Sequence, residues 1–157
     1  MIYVIYVKPQ SEIKVCAKLR NSGINAYAPL RTIMERHNGR WKEVVRIVFS
    51  SYVFVDIDLT DEIYYTVKKT DGVLRFLGQP PEPIRQSEAE HLKWIFDMQN
   101  VGISKGYLEN GRLVITDGAL VGHENMITDY NPRIMRGWIH TQINGKEHSF
   151  SVTVDTR

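Results

Sequence analysis

A chain of 157 residues with 43% hydrophobic and 24% charged side chains can bury one ordinary core or two small ones and falls outside the disordered class. Its formal net charge of +2 provides no general pull on polyanions, so any nucleic-acid contact has to come from a local patch. A single cysteine, Cys16, rules out an internal disulfide and a multi-cysteine zinc site and reads as a small residue on the apolar side of a helix. Met1 to Val7 has no basic stretch ahead of it and reads as a strand rather than a signal peptide. No apolar run is long enough to cross a bilayer, so a cytoplasmic address with no membrane partner is expected.

In chain order, the first strand ends at Lys8-Pro9-Gln10, and Ser11 is placed to cap a helix from Glu12 to Asn21 with Ile13, Cys16, Ala17 and Leu19 on its apolar side. Ile24 to Arg36 is extended and interrupted at Pro29. His37-Asn38-Gly39-Arg40 is a tight-hairpin signal leading to Trp41 and a strand from Val44 to Phe49. Ser50-Ser51 bends the chain into a further strand, with Val53, Val55, Ile57 and Leu59 on one face and Tyr52, Phe54, Asp56 and Asp58 on the other. The first face belongs to a core. The second begins with two aromatics that need either an apposed helix or a docking partner to cover them.

Thr60-Asp61 is placed to cap a second helix through Lys69, with Ile63, Val67 and Tyr64 inward, and Val73 to Leu77 is a short strand. Ser87-Glu88-Ala89-Glu90 reads as a capping box for a third helix reaching Gln99. Strand, helix, hairpin, helix, strand, helix is the order of a ferredoxin-like split βαβ arrangement with one appended helix. Residues 100–106 read as a linker. Beyond them, Arg112 to Thr116, Asn125 to Tyr130, Gly137 to Ile143 and Lys146 to Val154 are strand signals, Asn144-Gly145 is a hairpin signal, and together they predict a small closed barrel. The fold class is α+β, with domains at 1–99 and 107–157.

Phe49-Ser50-Ser51-Tyr52-Val53-Phe54-Val55 is similar to the Phe-Pro-Gly-Tyr-Val/Leu-x-Val element of the NusG family of bacterial transcription elongation factors. Phe49, Tyr52, Val53 and Val55 match, and Ser50-Ser51 replaces Pro-Gly. The stretch from Gly111 to Gly122 resembles the KOW motif, with Asn125 where a further glycine is usual, and Val152 to the end resembles its closing strand. The resemblance covers nearly the whole chain and implies an N-terminal NusG (NGN) domain joined to an SH3-like KOW barrel. Tyr3-Val4-Ile5-Tyr6, Ala28-Pro29-Leu30 and the Gly118-Ala119-Leu120 turn are most similar to specialised paralogs of the LoaP or RfaH type.

The function so implied is a specialised elongation and antitermination factor that binds bacterial RNA polymerase and acts as a monomer. The alternatives are a free-standing RNA-binding regulator and the general NusG pausing or termination factor, the latter disfavoured by Ser50-Ser51 and by Leu120 where Phe is usual. The resemblance places Tyr6 and Phe49, with Tyr52 and Phe54 as neighbours, in a cavity for the helical tip of the polymerase clamp. It places Ile63, Tyr64 and Tyr65 where RfaH-like factors reach the opposite jaw, although the same three residues also read as one inward isoleucine and two ordinary amphipathic tyrosines.

Arg36, His37, Arg40 and Lys42 surround the hairpin tip, beside the path of upstream DNA in family complexes. From Lys105 to Arg157 six basic side chains balance six acidic ones, so bulk electrostatics does not draw the barrel to RNA. Lys105, Arg112, His123, Arg133, Arg136, Lys146 and His148 remain as candidate local contacts. Arg133 and Arg136 flank a turn expected to be exposed, and Lys146, His148 and His123 are expected to gather at barrel loops. The implied partners of the barrel are nascent RNA in the form of a hairpin, or a ribosomal protein. Neither a phosphate-cradling Gly-rich loop nor a Gly-x-Ser-x-Gly elbow nor a His-Glu-x-x-His helix occurs, and the five histidines fall in five different predicted elements. The expectation is a protein that is not an enzyme and needs no cofactor or metal.

Overall fold

The computed structural model describes residues 1–157. Its elements are β1 (Ile2–Val7), α1 (Glu12–Asn21), β2 (Asn25–Tyr27), β3 (Leu30–His37), β4 (Arg40–Ile47), β5 (Tyr52–Asp56), α2 (Asp61–Lys68), β6 (Val73–Phe76), α3 (Gln86–Met98), β7 (Asn100–Val101), β8 (Ser104–Glu109), β9 (Arg112–Asp117), a 3-10 turn η1 (Glu124–Met126), β10 (Ile127–Asn131), β11 (Arg136–Ile143) and β12 (Lys146–Asp155). They form two compact units, Met1–Ala28 with Phe49–Phe96, and Pro29–Val48 with Asp97–Arg157.

The first unit is a four-stranded antiparallel sheet in the order β2-β5-β1-β6. Period-two alternation sends Tyr3, Ile5 and Val7 of β1 and Val53 and Val55 of β5 to one face, where they meet Val15, Cys16 and Leu19 of α1 and Val67 of α2 in a buried core. Each such aliphatic side chain contributes roughly 1.5–3 kcal/mol by leaving water. Helix α1 turns Glu12, Val15, Cys16 and Leu19 inward, so Ile13, expected on the apolar side, is 58% exposed. The buried carboxylate of Glu12 accepts the Ser51 amide at 2.8 Å, which fixes that rotation. Ser11 makes no side-chain capping bond, whereas Thr60 Oγ1 accepts the Ile63 amide at 3.2 Å as expected. Helix α3 starts at Gln86, one residue before the expected cap, and Glu88 Oε1 accepts the Arg85 amide at 3.2 Å, so the capping carboxylate serves Arg85 and Ser87 lies inside the helix.

In the second unit, β3 and β4 pair from Leu30 opposite Ile47 to His37 opposite Arg40, around an Asn38-Gly39 turn with both residues at positive φ. β7 adds to β3 in parallel. Five further strands follow the order β10-β11-β12-β8-β9. The expected linker, 100–106, instead carries β7 and the start of β8: Ser104 is fully buried, and its hydroxyl accepts the Leu120 amide at 3.0 Å. Gly118, at φ +105°, lets this turn close on β8, because a Cβ there would stand 2.6 Å from Ser104 Cα. Leu120 itself is buried.

Polar contacts seat the hairpin on β12 and on the first residue of β11. Arg31 Nη1 donates to the Ser151 carbonyl at 2.9 Å and hydroxyl at 2.7 Å, the Met34 amide donates to Thr153 Oγ1 at 2.9 Å, and Arg136 Nη2 donates to the Met34 carbonyl at 3.3 Å. The expected first domain thus contributes residues 29–48 to the second unit. The closed barrel anticipated from the strand signals is open along one seam, since no pairing joins β9 to β10. No helix is long and apolar enough to cross a membrane.

Candidate functional site

The register of the first sheet assigns Val4 and Tyr6 of β1, Tyr52 and Phe54 of β5, Tyr27 of β2 and Arg75 of β6 to the face opposite the α1/α2 core. Half of this face is covered from within. The Phe54 ring lies 4.9 Å from Phe96 of α3 and 5.2 Å from Phe49, and Tyr27 stacks on Phe96 at 5.1 Å. Phe54 is completely buried and Phe49 is 3% exposed, so the expected patch loses both to packing: of the two alternatives for this half, the apposed helix prevails.

Tyr6 and Tyr52 are half-buried and meet edge to face at 5.2 Å. The exposed guanidinium of Arg75 lies 4.5 Å over the Tyr6 ring, a cation–π contact. Burial first, then the hydrogen bond with Tyr6, pushes the Tyr52 phenol up to about 12, so it remains a neutral hydroxyl. Arg75 had no signal in the sequence, because only the β1–β6 register brings it opposite Tyr6.

On α2, Ile63 and Tyr64 pack against the core and Tyr64 stacks on Phe76 at 5.4 Å, leaving Tyr65, 67% exposed, as the ring of this trio that faces water. A groove of about 770 Å³ beside it is lined by Tyr65, Lys68, Leu74, Arg75 and Pro81.

The hairpin distributes its basic residues over two faces. His37, Arg40 and Lys42 share one with Glu35 and Arg46, while Arg36 lies on the other, 5.7 Å over Trp41. Glu35 Oε1 accepts from Arg46 at 3.1 Å and lies 3.2 Å from His37 Nε2. Desolvation opposes the charged form of Glu35, but the hydrogen bonds and charges of Arg46 and His37 hold its carboxyl below the ordinary value. Arg46 joins this basic face only through the cross-strand register, which sequence spacing did not signal.

In the barrel, the turn expected to present two guanidinium forks presents one. Met135, at φ +58°, is buried, and Arg136 is drawn to the Met34 carbonyl, leaving Arg133 exposed with its amide donating to Asn131 Oδ1 at 3.0 Å. Lys105 stands opposite Asp117 and Arg112 opposite Glu109 across the β8–β9 ladder, so each faces an acid. Lys146 and His148 are close on β12, where burial and then the Lys146 charge lower the affinity of His148 for a proton. His123 stands at the N-cap of η1, which packs on β9. No group of three or more His, Cys, Asp or Glu side chains is arranged to hold a metal ion.

A mixed α+β chain of two compact units, one built on a helix-covered antiparallel sheet and one rich in strands, is the fold class that the motifs indicated. A family model described as transcription termination factor nusG matches residues 2–93, more than half of the chain, and the chain belongs to the NusG family. The transcription termination/antitermination protein NusG of Chlamydia trachomatis is 31% identical over 140 residues, covering 81% of this chain and 76% of that protein. The protein of the same name from Lactococcus lactis is 32% identical over 115 residues, covering 66% of this chain and 58% of its own length, so the match spans little more than half of that relative. A solved structure described as domain interaction in Thermotoga maritima NusG aligns with a TM-score of 0.57 at 19% identity, over 97% of this chain and 92% of that one, a likeness of fold.

Proposed function

We propose that this chain is a specialised NusG-type elongation and antitermination factor of the LoaP or RfaH kind. In this reading residues 1–99 act as an NGN domain that binds RNA polymerase, and residues 107–157 act as a KOW domain that recruits through a nascent RNA hairpin or a protein such as a ribosomal protein. The observation that carries the reading is the cluster of Tyr6, Tyr52 and Arg75, an aromatic pair left half-open on a sheet whose phenylalanines, Phe54 and Phe76, are packed away. Aromatic and arginine side chains are the usual anchors of protein interfaces. The activity is one of binding: bridging the polymerase jaws favours the closed, processive state, and a bias of about 1.4 kcal/mol changes a conformational equilibrium tenfold. On the hairpin, the face of His37, Arg40, Lys42 and Arg46 would lie along upstream DNA.

The test is co-purification of the full chain with RNA polymerase, followed by titration of a Tyr6→Ala, Tyr52→Ala double variant. Binding weakened at least tenfold in a variant that keeps its circular dichroism spectrum is expected. Undiminished binding by that folded variant overturns the reading.

A further inference from the structure

Two strand edges in the barrel are unpaired and face a common groove. β9 pairs with β8 on one side only, β10 pairs with β11 on one side only, and no ladder joins them. Between them lies a groove of about 680 Å³ lined by Leu113 and Val114 of β9, Ile127 and Tyr130 of β10, and Arg112 and Glu124. That volume is in the range of ligand-binding clefts.

The backbone within the groove has a definite direction. The Ile115 amide points away from β8 and donates to Glu124 Oε1 at 3.3 Å. Main-chain groups alternate sides along a strand, so Leu113, two residues earlier, directs its amide and carbonyl to the same side, while Arg112 and Val114 bond to β8.

We propose that this seam is a strand-addition site, in which an extended segment of a partner protein pairs with the free edge of β9 at Leu113 and fills the gap to β10. The backbone specifies the class of occupant, since a donor and an acceptor presented in the plane of a sheet are matched by another strand. The side chains specify its sequence. Leu113, Ile127 and Tyr130 receive alternate apolar residues, and Glu124 with Glu109 outnumbers Arg112, which favours basic residues between them. Hydrogen bonds from the amides of Glu124 itself, Ile115 and Gly122 hold the Glu124 carboxyl below its ordinary value, so the groove keeps its negative charge at neutral pH. The same charge disfavours a phosphodiester chain. This seam shares no residue with the Tyr6, Tyr52 and Arg75 cluster, so it stands or falls separately from polymerase binding.

The experiment titrates the 15N-labelled full chain with a capped seven-residue peptide of alternating valine and lysine. Saturable shifts confined to residues 112–115 and 127–130, with slowed exchange of the Leu113 amide, are expected. Leu113→Pro removes the outward amide without touching the β8 ladder and should weaken binding at least tenfold, while Leu113→Val retains it. A second peptide with its central valine replaced by proline covers the case in which Leu113→Pro does not fold, and should bind at least tenfold more weakly to the wild type. Equal binding of the two peptides, equal binding by folded Leu113→Pro, or shifts at these residues with an RNA hairpin and none with the peptide overturns the proposal.

Discussion

The carboxylate of Glu12, at the first turn of α1, accepts the backbone amide of Ser51 at 2.8 Å, and Ser51 occupies the left-handed region at φ +66°. Ser51 stands where the family element has glycine, and the strained residue is held by a buried acceptor 39 positions away. Left-handed backbone costs a residue with a Cβ roughly 1–2 kcal/mol, so Ser51→Gly should stabilise the chain by up to about 1 kcal/mol, less what the unfolded chain gains in freedom. Glu12→Ala, which leaves that amide without its acceptor, should cost about 1–3 kcal/mol. Urea denaturation of the two variants checks both signs, and a destabilised Ser51→Gly would contradict this account.

Phe54 and Tyr6 lie on the same sheet face, but one is buried and the other half-open. Phe54→Ala should therefore lower the unfolding free energy by about 3–5 kcal/mol, the cost of a large core deletion. Tyr6→Ala should cost markedly less. Comparable losses for the two in a denaturation series would refute the division of this face into a packed half and an open half.

Burial disfavours the charged imidazole of His148, with the Lys146 charge acting in the same direction, so its proton affinity is lower in the fold than in the unfolded chain. The unfolded state then binds the extra proton first. Stability attributable to His148 is intact above its ordinary value of 6.5 and is lost as pH falls below it, until the folded imidazole also titrates. His148→Gln should flatten this segment of the stability–pH curve while leaving the further loss below about pH 4.5, where Glu35 and Glu124, both held low in the fold, take up protons. Thermal melts at half-unit steps from pH 4 to pH 8 measure it, and a wild-type curve that is flat between pH 7 and pH 5 would be the contrary result.

Arg133 and Arg136 should respond oppositely to charge reversal. Arg133 is exposed, so Arg133→Glu should leave stability within about 0.5 kcal/mol, as surface substitutions do, and weaken any RNA hairpin held by this turn. Arg136→Glu puts a carboxylate against the Met34 carbonyl and should destabilise the fold by about 1–3 kcal/mol. Parallel unfolding and hairpin-binding curves for the pair separate the two effects, and an Arg136→Glu protein as stable as wild type would rule out the Arg136–Met34 contact as part of the hairpin's seat.

Local order was largely legible in the residues. Alternation in Tyr52 to Leu59, the Asn38-Gly39 and Asn144-Gly145 pairs, and Thr60 ahead of an apolar period each carry their physical cause within a few positions, and the corresponding strands, turns and cap occur where those signals stand. Short strands without alternation were not legible: β7 has two residues, and β8 contains Gly106 and is held mainly by its neighbours β9 and β12. The fate of the aromatics also lay beyond the sequence. Phe54 and Tyr52 are two residues apart on one strand face, and only the docking of Phe96 buries the first and leaves the second half-open. Likewise Arg75 over Tyr6, Arg46 beside Glu35 and Arg136 against Met34 follow from cross-strand register and hairpin seating, in which partners tens of residues apart are chosen by packing and hydrogen bonding rather than by local spacing. The chain's own residues determined the period and punctuation of its elements. Tertiary structure alone decided which of their polar and aromatic side chains remain available to another molecule, because burial is a property of both surfaces that meet.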